Sequence, residues 1–217
     1  IDLDTAFGRS FSKPTVSLDQ AAMMWMVADN FRKGKPMDVS NSPANEVRYQ
    51  HRGYAKYVEI VHLFGWKPLD NFWHSVNQDF LKGIEYRRNA DRTDNRILRL
   101  SKQAGVDLTP LIHFWGIQPA DSDALNKAMD KEGLEPSSLI YDRLSHYKTI
   151  VPMNNTEFAG HARIVNPRGM RKGRNPLHGE GWYYTWLPKY EESHGVAAQA
   201  ALQEIIEHYF PDGRPKG

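Results

Sequence analysis

The fold class is decided by residues 52–66, which read RGYAKYVEIVHLFGW. Their apolar side chains recur every three or four positions, so they line one face of an α-helix. Gly65 follows this pattern and is a natural stop, because glycine adopts the left-handed conformation that ends many helices. The stretch therefore predicts a helix over 45–64, with Trp66 after it as a packing anchor in the core.

The same helical periodicity continues on both sides of this stretch. A helix is predicted after Pro68, and five of its apolar residues are expected to face inward: Leu69, Phe72, Trp73, Val76 and Phe80. Further helices are predicted from Ser17 onward, over 91–104, after a capping Asp107, over 121–132, over 137–147 and over 193–209. Most of the chain is therefore expected to be helical.

The composition of the sequence changes after residue 150. Gly and Pro become frequent over 151–188, where 159–165 and 182–187 have the pattern of short strands. The predicted fold is mainly α, an irregular helical bundle with a small β or irregular segment in the C-terminal third. We predict a helical subdomain over 1–150 and, over 151–217, an irregular or β segment plus a C-terminal helix packed on the same body.

Composition and charge narrow the possible partners. Hydrophobic residues make up 40% of the chain and charged residues 25%, which is enough apolar material for a sizeable core. The formal net charge of +2 provides no strong field to attract nucleic acid. The sequence has no Cys and no apolar run long enough for a membrane helix. We therefore expect neither a nucleic-acid partner nor insertion into a membrane.

Catalytic motifs are largely missing from the sequence. A zinc peptidase needs two His one helical turn apart with a Glu beside the first, and this HExxH pattern is absent. The nearest pattern is a single Glu59 and His62, so Glu59 is predicted to be solvated and His62 to pack near the helix surface. His178 and Glu180 are interpreted as parts of an ordinary loop. The sequence therefore predicts no metal site in this chain.

Two segments of the C-terminal third are candidates for contact with a partner. Residues 168–174 read RGMRKGR, a run that is both basic and rich in glycine. It is interpreted as a solvated loop, and the sequence assigns it no role. Residues 182–186 read WYYTW and are aromatic on both alternating faces. One face is expected to be core, while Trp182, Tyr184 and Trp186 offer a platform for a sugar or for another domain.

Two ordered stretches carry a resemblance to a known family. In the first, 52–66, a helix ends in Phe-Gly-Trp. In the second, 105–117, a Gly turn leads through Asp-Leu-Thr-Pro to a short aromatic helix and Trp-Gly, and the helix before it contributes Asp94, Leu98 and Ser101. Read together over about 46–118, the stretches resemble the helical region that follows the zinc site in enhancin-like zinc metallopeptidases. That family includes bacterial surface proteins of the accessory colonisation factor type.

The resemblance implies that this chain is the C-terminal helical part of a secreted or cell-surface peptidase. Zinc would be the cofactor of the parent enzyme and would be held upstream in the same protein, so this chain alone is predicted to be inactive. The implied partners are that upstream part and a glycoprotein or mucin substrate. Near the start of the helix predicted over 45–64, three residues would lie at the cleft and contact the substrate or its transition state: His51, Arg52 and Tyr54.

Two other functions stay open. The chain is alternatively a non-catalytic module that binds glycan or protein through the face at 182–186, or a purely structural domain. The residues encoded before Ile1 would discriminate between them, because an HExxH motif there, followed by a Glu, favours the peptidase.

Overall fold

The computed structural model of the chain describes residues 18–29, 50–84, 93–165 and 189–216. In these ranges the protein is mainly α, as predicted, and contains no strand. The helices are α1 (Leu18–Met23), the π-helix π1 (Met24–Asp29), α2 (Gln50–Phe64), α3 (Lys67–Leu81), α4 (Thr93–Ala104), α5 (Thr109–Phe114), α6 (Ser122–Lys131), α7 (Ser138–Thr149), α8 (Asn155–Val165) and α9 (Glu192–Tyr209).

The chain divides into two compact units. The first unit comprises Ile1–Asp38 and His146–Gln203, and the second comprises Val39–Ser145 and Glu204–Gly217. The predicted division after residue 150 stays a prediction.

In the second unit, a tight turn connects α4 to α5. Gly105, with a φ of 73°, ends α4, and its N–H donates to the carbonyl of Ser101. The Ser101 hydroxyl accepts the N–H of Leu108, while Asp107 accepts the N–H of Thr109 at the start of α5. Because α5 begins this close to α4, its apolar residues enter the core directly. The buried apolar residues of these two helices, of the turn between them and of the residues directly after α5 are Ile97, Leu100, Leu108, Leu111, Ile112, Phe114, Trp115 and Ile117.

In the first unit, the N-terminal part of α9 lies close to the residues that connect α7 to α8. Tyr190 donates its hydroxyl to the carbonyl of Pro152 at 2.6 Å, and its ring stacks on Phe158 with centroids 4.4 Å apart. A Cβ on Gly195 would lie 2.5 Å from the same carbonyl oxygen, so this position requires glycine. Buried residues of α1 and π1, including Ala22, contribute to this core, and α1 packs on α8.

The expected strand at 159–165 is wrong, because these residues belong to α8. The helix begins with a reciprocal cap in which Asn154 accepts the N–H of Glu157 at 2.9 Å and Glu157 accepts the N–H of Met153 at 2.8 Å. An Asn followed three residues later by a Glu is a helix-start signal. It outweighs the strand-like composition of the residues that follow. The strand predicted at 182–187 lies outside the described residues.

The predicted burial of three aromatic residues is also wrong. Trp66 is 42% exposed, Trp73 52% and Phe80 67%. Leu69 and Phe72, which are predicted to face inward as well, are buried. The reason is geometric. Residues spaced seven apart, such as these three, form one stripe along α3. The rest of the unit covers the neighbouring stripe, which contains Leu69 and Phe72.

Candidate functional site

The Glu59 carboxylate is a fully enclosed charged group of the second unit. Glu59 has no exposed surface, and both of its oxygens accept hydrogen bonds. Trp115 donates its indole Nε1–H to Oε2 at 2.6 Å, and Arg143 donates its Nε–H to Oε1 at 2.7 Å. The prediction of a solvated Glu59 is therefore wrong. We refer to Glu59, Trp115 and Arg143 as the Glu59 cluster.

The Glu59 cluster joins three helices that are far apart in sequence. Glu59 comes from α2, Arg143 from α7, and Trp115 directly follows α5. A buried carboxylate is costly unless it is paired and hydrogen-bonded. Because the guanidinium supplies the charge and the indole a directional donor, the cluster keeps the three helices in one arrangement.

A second buried charge lies one turn earlier on α2. Lys56 is 1% exposed, and its Nζ lies 4.6 Å from the centroid of the Tyr57 ring. Burial lowers the pKa of the Lys56 amine to about 7, and the positive charge of Arg96 also lowers it. An amine with this pKa gains or loses its proton near neutral pH. Since the side chain is enclosed, the titration acts first on the stability of the second unit.

Further residues of the second resembling stretch organise the backbone. Asp94, in the first turn of α4, accepts the N–H groups of Ala120 and Asp121 at 2.7 and 2.9 Å, which ties the segment after α5 to α4. Asp107 is buried, and burial raises the pKa of its carboxyl against the lowering effect of its hydrogen bonds from Thr109. These carboxylates therefore act on the fold and offer no exposed acid–base pair.

An imidazole and a phenol meet near the end of α9. His113 Nδ1 lies 3.0 Å from the hydroxyl oxygen of Tyr209, and His113 Nε2 lies 3.1 Å from Nε2 of Gln118. Burial lowers the pKa of His113 to about 4, with a further lowering by the charge of His208. Burial raises the pKa of Tyr209, as does the charge of Asp107. Both groups are therefore neutral near pH 7 and hold the end of α9 on α5.

The first unit contains its own pair of histidines. His146 Nε2 lies 2.9 Å from the Asp19 carboxylate, and His161 Nδ1 lies 3.2 Å from the amide oxygen of Gln20. Burial lowers the pKa of His161, and this effect is partly offset by a hydrogen bond to the backbone of Ile150 and by the nearby carboxylates of Asp19 and Glu157. The contacts fix α1 against α7 and α8. In the ranges that the structure describes, no three His, Asp or Glu residues come together as a group that could hold a metal ion.

The structure shows only the backbone of some candidates predicted from the sequence. His51, Arg52 and Tyr54 lie in the first two turns of α2, and their side chains are outside the description. Glu59 is buried and His62 is exposed, so these two do not share a site. Outside the described residues altogether lie Trp182, Tyr184 and Trp186, the basic run 168–174, and His178 with Glu180.

The Glu59 cluster is not predicted from the sequence, because the Glu59 carboxylate is expected there to be solvated. A signal was present in the sequence: Glu59 lies between Ile60 and Val58 and shares the helix with Lys56 on a segment with few other charges. A carboxylate on a largely apolar helix face is buried when another element brings it a donor. The helix pattern does not reveal those donors.

Of the helices in the described ranges, none is both long and apolar enough to cross a membrane. Comparison with protein families, with curated proteins and with solved structures finds no match for this chain.

Proposed function

We propose that this chain is the C-terminal helical subdomain of a secreted or cell-surface zinc metallopeptidase that acts on mucin-like glycoproteins. The proposal rests on the resemblance of 46–118 to enhancin-like peptidases. The observation that supports it best is the buried hydrogen bond between Trp115 and Glu59, because it joins the two resembling stretches into one folded piece. Stretches that belong to one functional unit are expected to pack on each other in this way.

The proposed role of the second unit is to hold α2 rigidly. A peptidase site works only when the groups around the scissile bond are held in place by packing and hydrogen bonds. The Glu59 cluster fixes α2 from the side, and Asp94 and Asp107 fix the segments on either side of α5. Glu59, Trp115, Asp94 and Asp107 are thus suited to support rather than to chemistry.

Zinc does not fit the described part of this chain, which lacks a group of three ligands. In the proposal, the ligands belong to an upstream part of the same protein. His51, Arg52 and Tyr54, at the start of α2, are proposed to contact the substrate or its oxyanion. An imidazole, a guanidinium and a phenol can each donate a hydrogen bond to such an oxygen.

The competing function is a non-catalytic module that binds glycan or protein through Trp182, Tyr184 and Trp186. It requires no upstream partner and predicts that the isolated chain is active in binding.

The two functions are separated by the gene that encodes this chain. We expect an in-frame HExxH motif before Ile1, followed by a Glu on a later helix. The complete gene product should cleave a mucin-type glycopeptide, lose this activity with a zinc chelator, and lose it when the Glu of the motif is replaced by Gln. A gene product without the motif, or cleavage that survives both treatments, would overturn the proposal.

A further inference from the structure

The outer side of α3 carries aromatic residues at regular intervals. Trp66 is 42% exposed and Trp73 52%. The carbonyl of Trp66 accepts the N–H groups of Leu69 and Asp70, so Trp66 continues the helical path of α3 at its first turn. Seven residues are close to two full turns, so the two indoles lie on the same side of the helix, about 10 Å apart along its axis. Phe80, 67% exposed, continues the series by another two turns.

Polar residues alternate with these aromatics. Asp70 lies four residues after Trp66 and three before Trp73, and Asn77 has the same place between Trp73 and Phe80. Both Asp70 and Asn77 are exposed. Positions at alternating steps of four and three fall on one face of a helix. We call Trp66, Asp70, Trp73, Asn77 and Phe80 the α3 face.

The opposite side of α3 holds this face in position. Pro68, Leu69 and Phe72 are buried, and α3 packs on α2 and α4. The Phe72 ring meets the Trp73 ring edge-on, with centroids 5.1 Å apart. Asp79 forms an ion pair with Arg99 of α4. The aromatic rings therefore project from a fixed support.

The alternation decides what kind of partner fits. Helices that pack along a shared seam have apolar residues at every position of such an alternating pattern. In the α3 face, the carboxylate of Asp70 and the amide of Asn77 occupy every second position, which disfavours a partner helix. The exposed carboxylate of Asp70 lies between the two indoles and repels anionic groups, although Lys67 and His74 lie on the neighbouring flank of the helix. The charge pattern therefore disfavours an anionic membrane surface as the partner.

A sugar ring matches both components of the face. A pyranose has an apolar surface of C–H groups that stacks on an aromatic ring, and a rim of hydroxyls that donate to a carboxylate and an amide oxygen. We propose that the α3 face binds a neutral oligosaccharide along the helix axis. Adjacent aromatic residues stack on sugars about one disaccharide apart, while Asp70 and Asn77 bind the hydroxyls between them.

This site adds a glycan-binding surface to the proposed peptidase. It rests on the proposed function only for the origin of the sugar, which would be the glycan of the glycoprotein substrate. In a peptidase that acts on glycoproteins, the α3 face would hold the glycan of the substrate. Binding itself requires neither zinc nor the upstream part, so it can be measured on this chain alone. Failure of the peptidase proposal would therefore leave the binding result intact, and the reverse also holds.

The test is titration of the purified chain with two neutral probes, a galactose–N-acetylgalactosamine disaccharide and an N-acetyllactosamine tetrasaccharide. Calorimetry or ligand-observed NMR should detect both, with the tetrasaccharide bound more tightly because it spans more than one aromatic interval. Trp73→Ala should weaken binding of the tetrasaccharide about tenfold, the loss expected for one ring contact. Trp66→Ala and Asp70→Ala should each weaken it less.

Leu139→Ala is the matched control, because Leu139 is an exposed apolar residue of the same unit on α7. This variant should bind as the wild type does, and all variants should stay folded with a melting temperature within about 4 °C of the wild type, since the residues are exposed or half-exposed. Binding of neither probe by the wild type would overturn the proposal, as would equal binding by a Trp66→Ala/Trp73→Ala double variant. A Trp73-dependent dimer in sedimentation equilibrium without sugar binding would instead identify the α3 face as a contact between copies.

Discussion

Two tryptophans that look alike in the sequence differ completely in the structure. Trp66 follows a Phe and a Gly, whereas Trp115 lies between a Phe and a Gly. Trp115 is 1% exposed and donates to Glu59, while Trp66 is 42% exposed at the start of α3. The two indoles differ in the helix that carries them. Trp115 directly follows α5, whose apolar residues are buried. Trp66 comes after the turn at Gly65, which has a φ of 77°, and begins the outer side of α3.

The largest effect is expected from removing the buried indole. Trp115→Ala should lower the free energy of unfolding by about 3–5 kcal/mol, since it leaves a cavity and removes a donor from a buried carboxylate. Trp66→Ala should cost about 1 kcal/mol, because 42% of the residue is already exposed to solvent and it makes no buried hydrogen bond to Glu59. Urea denaturation followed by circular dichroism measures both. Equal losses would contradict the contrast between the two regions.

A smaller loss is expected when the acceptor is changed instead. Glu59→Gln keeps the shape of the side chain but presents an amide to the guanidinium of Arg143, and should cost about 1–3 kcal/mol. The control is Glu132→Gln, which removes the negative charge from the exposed ion pair with Lys102. That variant should cost less than about 1 kcal/mol, because exposed ion pairs contribute little. If both variants unfold at the same urea concentration, the Glu59 cluster is not a determinant of stability.

The buried region should also make stability depend on alkaline pH. The pKa of Lys56 is about 7 in the folded chain against an ordinary 10.5, so above pH 7 the unfolded chain binds a proton that the folded chain does not. Stability should therefore rise between pH 7 and 9, by at most about 1.4 kcal/mol per pH unit. Lys56→Met should flatten this rise, while Lys67→Met, at an exposed residue of α3, should not. A wild-type profile that falls over this range would refute the prediction.

A narrower pH effect is expected on the acid side. The pKa of His113 is lowered to about 4 from an ordinary 6.5, so the neutral form is favoured by folding. Its contribution is present above pH 6.5 and is lost as the pH falls from 6.5 towards 4, because the unfolded chain binds the proton first. His113→Gln should reduce the dependence of the urea midpoint on pH within this window. An unchanged profile would mean that His113 is not buried against Tyr209 as described.

The helices themselves were largely predictable, and their partners were not. The helix predicted over 121–132 is α6, Ser122–Lys131, and α9 runs over Glu192–Tyr209, close to the predicted 193–209. Such features depend on residues three or four apart, whose geometry is set locally. The place of Glu59 depends on Trp115 and Arg143, which are 56 and 84 residues away. No local pattern contains that information.

The sequence by itself determined that this protein is mainly helical, where most of the described helices begin and end, and which residues share a face. It did so because helical periodicity and capping are short-range properties of the backbone and its nearest side chains. Only the tertiary structure decided which face is covered: Glu59 lies in the core, and the aromatic stripe of Trp66, Trp73 and Phe80 lies outside it. Two stripes of one helix can be equally apolar, and the one that is buried is the one on which neighbouring helices, positioned by their own turns, happen to pack.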